Sequence, residues 1–246
     1  MLRVAVIELP ARFGDVEAAL ADVEATLERG PASDLAVLPE CSLTGYVDAV
    51  GHCDPTSFAE PIDGPTMTKI AALARTYDTA IGAPLIEQAG DAVYNAYVVV
   101  GRDGAVLHRY RKRHPWFPER WATPGDVPPS SFELGGVSIA VAICFDVHFL
   151  ADESADVLSR TDALLFPSAW VDPDRVDLRA EIFDTLAAKF GISIVNANWG
   201  PGTPLVRGQG ASRVVQHSGE IVQLPMAFGP QRVDVTLSPR RISQPR

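Results

Sequence analysis

Four short, largely apolar runs constrain this fold more than any other feature: Leu2–Leu9, Leu35–Leu38, Gly136–Cys144 and Ala163–Phe166. Each has the length of a strand. None keeps the strict apolar–polar alternation of a sheet with one wet face, so each reads as a strand covered on both sides. Helical patterns lie between them. Asp15–Arg29 carries Val16, Ala19, Leu20, Val23 and Leu27 on one face with acids between, and Gly30–Pro31 stops it. Thr66–Tyr77 follows Gly64–Pro65 and puts Met67, Ile70, Ala71 and Ala74 on one face, and Arg175–Phe190 is a third helical stretch. Further strands are expected at Thr79–Ile86, Tyr94–Val100 and Ala105–Tyr110, the last two joined by the turn Gly101-Arg-Asp-Gly104. Ile192–Asn196 is another, and Ala211–Val215 pairs with Ile221–Leu224 as a hairpin. Proline-rich residues 113–131 form a long loop, a length that compact domains usually reserve for function. The pattern predicts an α/β fold with a mixed sheet.

Nearly half of the 246 residues are hydrophobic (47%), and no linker or low-complexity tract divides them, so one domain over residues 1–246 is expected. The net charge of -10 opposes binding to nucleic acid or to an anionic membrane surface. No run reaches the roughly 18 apolar residues of a membrane span. The opening MLRVAVIEL reads as a strand rather than a signal peptide. Cys41, Cys53 and Cys144 are odd in number and irregular in spacing, which argues against a disulfide framework and for a reducing, cytoplasmic setting. No C-x-x-C pair exists, and adjacent His52 and Cys53 suit one metal ion poorly, so neither metal nor cofactor is expected.

Three reactive side chains stand at strand ends: Glu40 after Leu35–Leu38, Lys112 after Ala105–Tyr110, and Cys144 closing Gly136–Cys144. Ligands collect at the carboxyl ends of strands in open α/β sheets. Singly, each has an ordinary reading: a packed thiol, a helix-start acid, a solvated basic run. Together they supply what hydrolysis of a carbon–nitrogen bond needs. A thiolate is the nucleophile, with its pKa lowered by a neighbouring cation that Lys112 can provide. The ammonium and the backbone N–H of Phe145 are donors for a tetrahedral oxyanion. A carboxylate takes the thiol proton, passes it to the leaving amine and then activates water.

At these residues the chain resembles the nitrilase superfamily of carbon–nitrogen hydrolases. Leu38-Pro-Glu-Cys-Ser-Leu-Thr-Gly-Tyr46, Tyr110-Arg-Lys-Arg-His114 and Cys144-Phe-Asp146 are similar to that family's Glu, Lys and Cys motifs and occur in the same order. Asn95, Asp103-Gly104, Pro167-Ser-Ala-Trp170 and Val195-Asn-Ala-Asn198 also fit, so the likeness runs from about residue 2 to about residue 224. The resemblance implies a four-layer α-β-β-α sandwich, a homodimer or larger assembly, and a small-molecule amide or nitrile substrate. It implies Glu40 as general base, Lys112 as oxyanion stabiliser and Cys144 as the thioester-forming nucleophile. It also implies that Glu119, in the loop after the Lys motif, orients Lys112 and substrate. Phe-Gly-Ile-Ser-Ile-Val-Asn-Ala-Asn and Cys-Phe-Asp are similar to the biotinidase and vanin branch, which implies an amide.

The chain departs from the family where His148-Phe-Leu-Ala replaces the usual Arg-Phe-Pro-Glu, and where Lys189-Phe190 replaces a Glu-Asn pair. One turn past Cys144, His148 is expected to point along a helix rather than back at the strand end. Trp170 suits a pocket wall. Asp172, Asp174 and Asp177 offer either solvated surface or a site for a cationic substrate group, and Arg109–Arg113 either solvated surface or a site for an anionic one. A nitrilase, an N-carbamoyl amide hydrolase, an ammonia-supplying glutaminase and a catalytically silent scaffold are the alternative functions.

Overall fold

The computed structural model describes residues 1–48, 50–171, 176–202 and 208–240. In chain order the elements are β1 (Leu2–Pro10), α1 (Val16–Arg29), β2 (Leu35–Val37), α2 (Pro65–Thr76), β3 (Ala80–Ala89), β4 (Ala92–Val100), β5 (Val106–Arg111), β6 (Ser131–Leu134), β7 (Val137–Val141), α3 (Leu150–Glu153), α4 (Ala155–Leu158), β8 (Ala163–Pro167), α5 (Arg179–Phe190), β9 (Ser193–Ala197), β10 (Trp199–Gly200), β11 (Arg213–Val215), β12 (Ile221–Gln223) and β13 (Gln231–Leu237). One sheet runs β10-β1-β2-β3-β4-β5, with β13 sharing an edge of β1, and the other runs β12-β11-β9-β8-β7-β6.

The period of two in the apolar runs builds the layers. Leu2, Val4 and Val6 of β1, with Leu35 and Val37 of β2, pack against Val137, Ile139, Val141, Leu165 and Val195 of the facing sheet. The alternate residues Ala5, Ile7, Leu9 and Ala36 meet α1 and α2 through Leu20, Val23, Leu27, Met67 and Ile70. On the outer face of the second sheet, Ala140, Leu164, Phe166 and Ile194 meet Leu150, Leu158, Phe183 and Leu186 of α3, α4 and α5. The order is therefore helix, sheet, sheet, helix. Each fully buried Val, Leu or Ile contributes roughly 1.5–3 kcal/mol, which makes the two-faced strands the main source of cohesion. Among the described residues no helix is long and apolar enough to cross a membrane.

Local chemistry sets the element ends. The Asp15 carboxylate accepts from Ala18 N–H at 3.1 Å and starts α1. Gly82 lies under the Tyr97 ring, where a Cβ would come within 2.8 Å of it. Several boundaries differ from the sequence reading. β3 and β4 meet at Gly90–Asp91 as one long hairpin, because Gly90 takes a positive φ of 60°. β6 emerges at the end of the region read as loop and turns through Gly135 and Gly136, both with positive φ. β7 stops at Val141 rather than at Cys144, which instead opens a 3₁₀ turn over Cys144–His148. α5 starts at Arg179, where Asp177 accepts the Arg179 N–H, and residue 175 lies outside the described residues. β13 was not expected at all. It carries a half-exposed pattern and is held by seven paired positions along β1.

Candidate active site

Glu40 follows β2 through Leu38-Pro39, and this corner is pinned from three sides. The Tyr97 hydroxyl accepts from Leu38 N–H at 3.1 Å and lies 2.8 Å from both the Leu38 and the Gly82 carbonyl oxygens. Trp199 Nε1–H donates to the Glu40 carbonyl at 2.6 Å. Cys41 sits at φ +49°, which folds the chain back sharply. Lys112 continues the β5 ladder one residue past the strand, its N–H donating to Asn95 O of β4 at 2.8 Å.

The two ends meet in a buried polar cluster. Lys112 Nζ donates to Glu40 Oε1 at 2.7 Å and to Glu119 Oε1 at 2.6 Å, and all three residues are almost completely buried. Asn95 Nδ2 donates to the same two oxygens at 2.8 and 3.2 Å. The second Glu119 oxygen accepts from Trp116 N–H at 2.9 Å, and the second Glu40 oxygen from Ala169 N–H at 2.9 Å. The Ala169 contact ties a carboxylate from the first sheet to the loop after β8 of the second.

Cys144 stands beside this cluster at the start of its 3₁₀ turn, with φ +43°. A non-glycine residue in that region carries of order 1–3 kcal/mol of strain, so the surroundings must hold it there. Asp146 does so: it accepts from Ile143 N–H at 3.1 Å, His114 N–H at 2.9 Å and Tyr110 O–H at 2.9 Å. Burial raises the Asp146 carboxyl above its ordinary range, with Lys112 and these donors opposing the rise.

The charge balance corrects the expected thiolate. Burial first, and then the negative charge of Glu40, push the Cys144 thiol well above its ordinary value, while Lys112 and the Ala169 N–H pull the other way and lose. The Lys112 charge is smaller in effect than the burial of the thiol and the charge of Glu40. Burial favours neutral lysine, yet Glu40 and Glu119 override it and hold the ammonium firmly protonated. Burial also raises Glu119, against the pull of Lys112. The resting sulfur of Cys144 is thus a thiol next to a carboxylate.

Cys144 opens onto a pocket of about 380 Å³. Its walls include Trp116, Phe145, His148 and Trp170, with Val171, Val176 and Leu178 toward the mouth. Trp170 lines this pocket, and so does the Phe145 ring, of which the sequence reading had used only the backbone N–H. His148 does not point away along a helix. The tighter 3₁₀ turn brings it into the same pocket, 4.9 Å from the Phe145 ring and 6.4 Å from the Trp170 ring. Burial lowers its pKa. Of the two ionic recognition sites considered from sequence, the basic one has its arginines paired with carboxylates. Arg109 and Arg111 bind Glu87, and Arg113 binds Glu153. Asp177 binds Arg179 and Arg213, and Asp172 and Asp174 lie outside the described residues. Sequence reasoning missed Ala169, which acts through its backbone, and Trp116, an aromatic residue in the long loop whose position was its only signal. Among the described residues no group of three or more His, Cys, Asp or Glu could hold a metal ion.

A stranded α-β-β-α sandwich with a buried Glu–Lys–Glu cluster beside a cysteine at a strained turn defines a class, and comparison with known proteins agrees. The carbon–nitrogen hydrolase family model matches residues 3–243, and the chain belongs to that family. A hydrolase in the pqqF 5′ region of Pseudomonas protegens is 31% identical over 201 residues, which cover 74% of this chain and 66% of that protein. A nitrilase from Pyrococcus abyssi is 35% identical over 156 residues, 60% of this chain and 58% of that protein. The matches therefore span somewhat under two thirds of these relatives' own lengths. The amidase from Nesterenkonia sp. AN1, in a variant with acrylamide joined to its active-site cysteine, superposes with a TM-score of 0.82 at 20% identity, over 97% of this chain and 94% of that one.

Proposed function

We propose that the protein hydrolyses a non-peptide carbon–nitrogen bond in a small amide, through a thioester on Cys144. The observation that carries this reading is the single hydrogen-bonded array of Glu40, Lys112 and Ala169 N–H beside a cysteine that opens on a pocket. Because the thiol rests protonated, it needs a base, and Glu40 is the carboxylate whose charge it feels most. Glu40 accepts the thiol proton as sulfur attacks the carbonyl carbon, and the C=O electron pair becomes an oxyanion. Lys112 Nζ, with the Phe145 N–H as second donor, receives that oxyanion, and loss of one such donor typically costs about 3 kcal/mol of barrier. The C–N bond then breaks. The amine leaves with the proton held by Glu40, and the acyl group stays on sulfur. Water, deprotonated by Glu40, attacks the thioester and releases the acid and the thiol. Glu119 holds Lys112 in place throughout, since its own oxygen lies 2.6 Å from Nζ.

The test is intact-protein mass spectrometry with ammonia detection on a panel of small amides and nitriles. The expected outcome is an acyl adduct confined to Cys144 together with ammonia release, both lost in Cys144→Ala. Full turnover by folded Cys144→Ala protein would overturn the reading. A carbamoyl adduct would move it to ureide cleavage.

A further inference from the structure

The walls above Cys144 narrow the substrate class, on the footing of the thioester reading. Among the described residues no charged side chain lines the pocket. Its inner wall is largely aromatic, from Trp116, Phe145, His148 and Trp170, with the Gln209 amide as a polar, uncharged neighbour. Its mouth continues outward as exposed apolar surface: Val176 is 80% exposed, Leu178 52% and Trp116 38%. An apolar surface continuous with a reactive cavity favours a ligand that is itself apolar.

Among the described residues the charges nearest the pocket are already paired. Lys112 is shared between Glu40 and Glu119. Arg179 is fully buried, 6.0 Å from the Trp170 ring, and donates to both oxygens of Asp177, to Asn196 Oδ1 and to Gly210 O. Arg213 donates to Asp177 Oδ2 as well. A carboxylate or ammonium on the substrate would displace one of these partners or lie unpaired in a partly dry pocket, and both are unfavourable. Among the described residues His148 is the titratable wall besides Cys144, and burial disfavours its charged form.

We propose that this pocket selects amides whose substituent is uncharged and apolar, with aromatic groups preferred, and that Trp170 and His148 form the surface against which that group packs. The preference follows from burial of an apolar ring, which at the scale of a Phe side chain amounts to about 10- to 100-fold in kcat/KM.

The experiment compares four primary amides with the full-length protein: acetamide, 3-phenylpropionamide, succinamic acid and 4-aminobutyramide. kcat/KM is read from ammonia release, with acylation of Cys144 followed by mass. The aromatic amide should exceed acetamide by about 10- to 100-fold and both charged amides by more, and Trp170→Ala should shrink the aromatic-to-acetamide ratio toward one. Equal or better turnover of either charged amide, or of acetamide, overturns the inference while leaving the thioester reading intact. If no amide acylates Cys144, the thioester reading fails. The pocket inference is then decided by calorimetric binding of the same four compounds to Cys144→Ala protein. Tighter binding of the aromatic amide supports it, and equal or tighter binding of any other compound overturns it.

Discussion

Replacing Lys112 by Met would remove one ammonium and strand two carboxylates. Lys112 is 1% exposed, and its Nζ lies 2.7 Å from Glu40 and 2.6 Å from Glu119. Breaking a buried ion pair by removing one partner typically costs about 3–5 kcal/mol, because the remaining charge has no water to turn to. Against a total stability of roughly 5–15 kcal/mol that is a large fraction, and it corresponds to a fall in Tm of about 6–20 °C for a chain of this size. Asn95 Nδ2 and the N–H groups of Ala169 and Trp116 still donate to the carboxylates, so the lower half of the range is expected. Adding Glu119→Gln should recover about 1–3 kcal/mol, since it removes one orphaned charge and leaves Glu40 its amide donors. The loss should also depend on pH. Burial already holds the Glu119 carboxyl above its ordinary value, and Lys112 is the main influence opposing that rise. Without Lys112 the folded-state value climbs further. The folded chain then keeps a proton that the unfolded chain has released, so stability declines as pH rises from about 4.3 through the folded value. Urea unfolding followed by Trp fluorescence should therefore show a larger deficit at pH 8 than at pH 5.5. A deficit below about 1 kcal/mol at pH 8, the same deficit at both pH values, or a double variant no better than the single one would refute the reasoning.

Three further outcomes are expected. His108 on β5 stacks on Phe132 of β6 at 5.0 Å, and burial lowers its pKa. The unfolded chain protonates first, so wild-type stability should fall as pH drops through about 6.5. His108→Phe should flatten that limb in thermal melts between pH 5 and 7, and an unchanged slope would place its origin elsewhere. Tyr97→Phe removes the hydroxyl that bonds the Leu38 N–H, and should cost about 1–3 kcal/mol in denaturant unfolding. It should also lower kcat more than it raises KM, because Glu40 lies two residues on from that anchor; a pure stability loss would contradict this. Finally, iodoacetamide at pH 8 should label Cys144 before buried Cys41 and before half-buried Cys53, because Cys144 opens on the pocket and has Glu40 beside it to take its proton. Peptide mapping that finds equal rates would argue against a base beside Cys144.

Much of the architecture was legible because burial on both faces writes itself into the residues. A run such as Ala163–Phe166 has no polar side to show water, so it calls for a partner layer above and below. Helix α1 was equally readable, since its apolar stripe, Asp15 cap and Gly30–Pro31 stop all agree. Strand β13 was not, because Gln231–Leu237 is half exposed and its strand character comes from the edge of β1. Strand β10, two residues long, owes its existence to the same edge.

The candidate site divides along the same line. Glu40, Lys112 and Cys144 were singled out because each stands at the end of a strand that local pattern makes recognisable, and Glu119 only through the family resemblance. Their charge states were not. A lysine beside a cysteine suggests a thiolate, whereas the folded chain gives that lysine two carboxylates and leaves the thiol protonated. His148 turned inward for a comparable reason: Asp146 bonds the Ile143 N–H and tightens the segment into a 3₁₀ turn, which rotates the histidine into the pocket. The sequence by itself determined which residue types were available and which strands would bring them to an edge, since periodicity and motif spacing are local. Tertiary structure alone decided protonation, side-chain direction and the absence of charge among the described residues that line the pocket. Those depend on burial and on the charges that distant segments bring within a few ångströms, and neither is a property of any one stretch of chain.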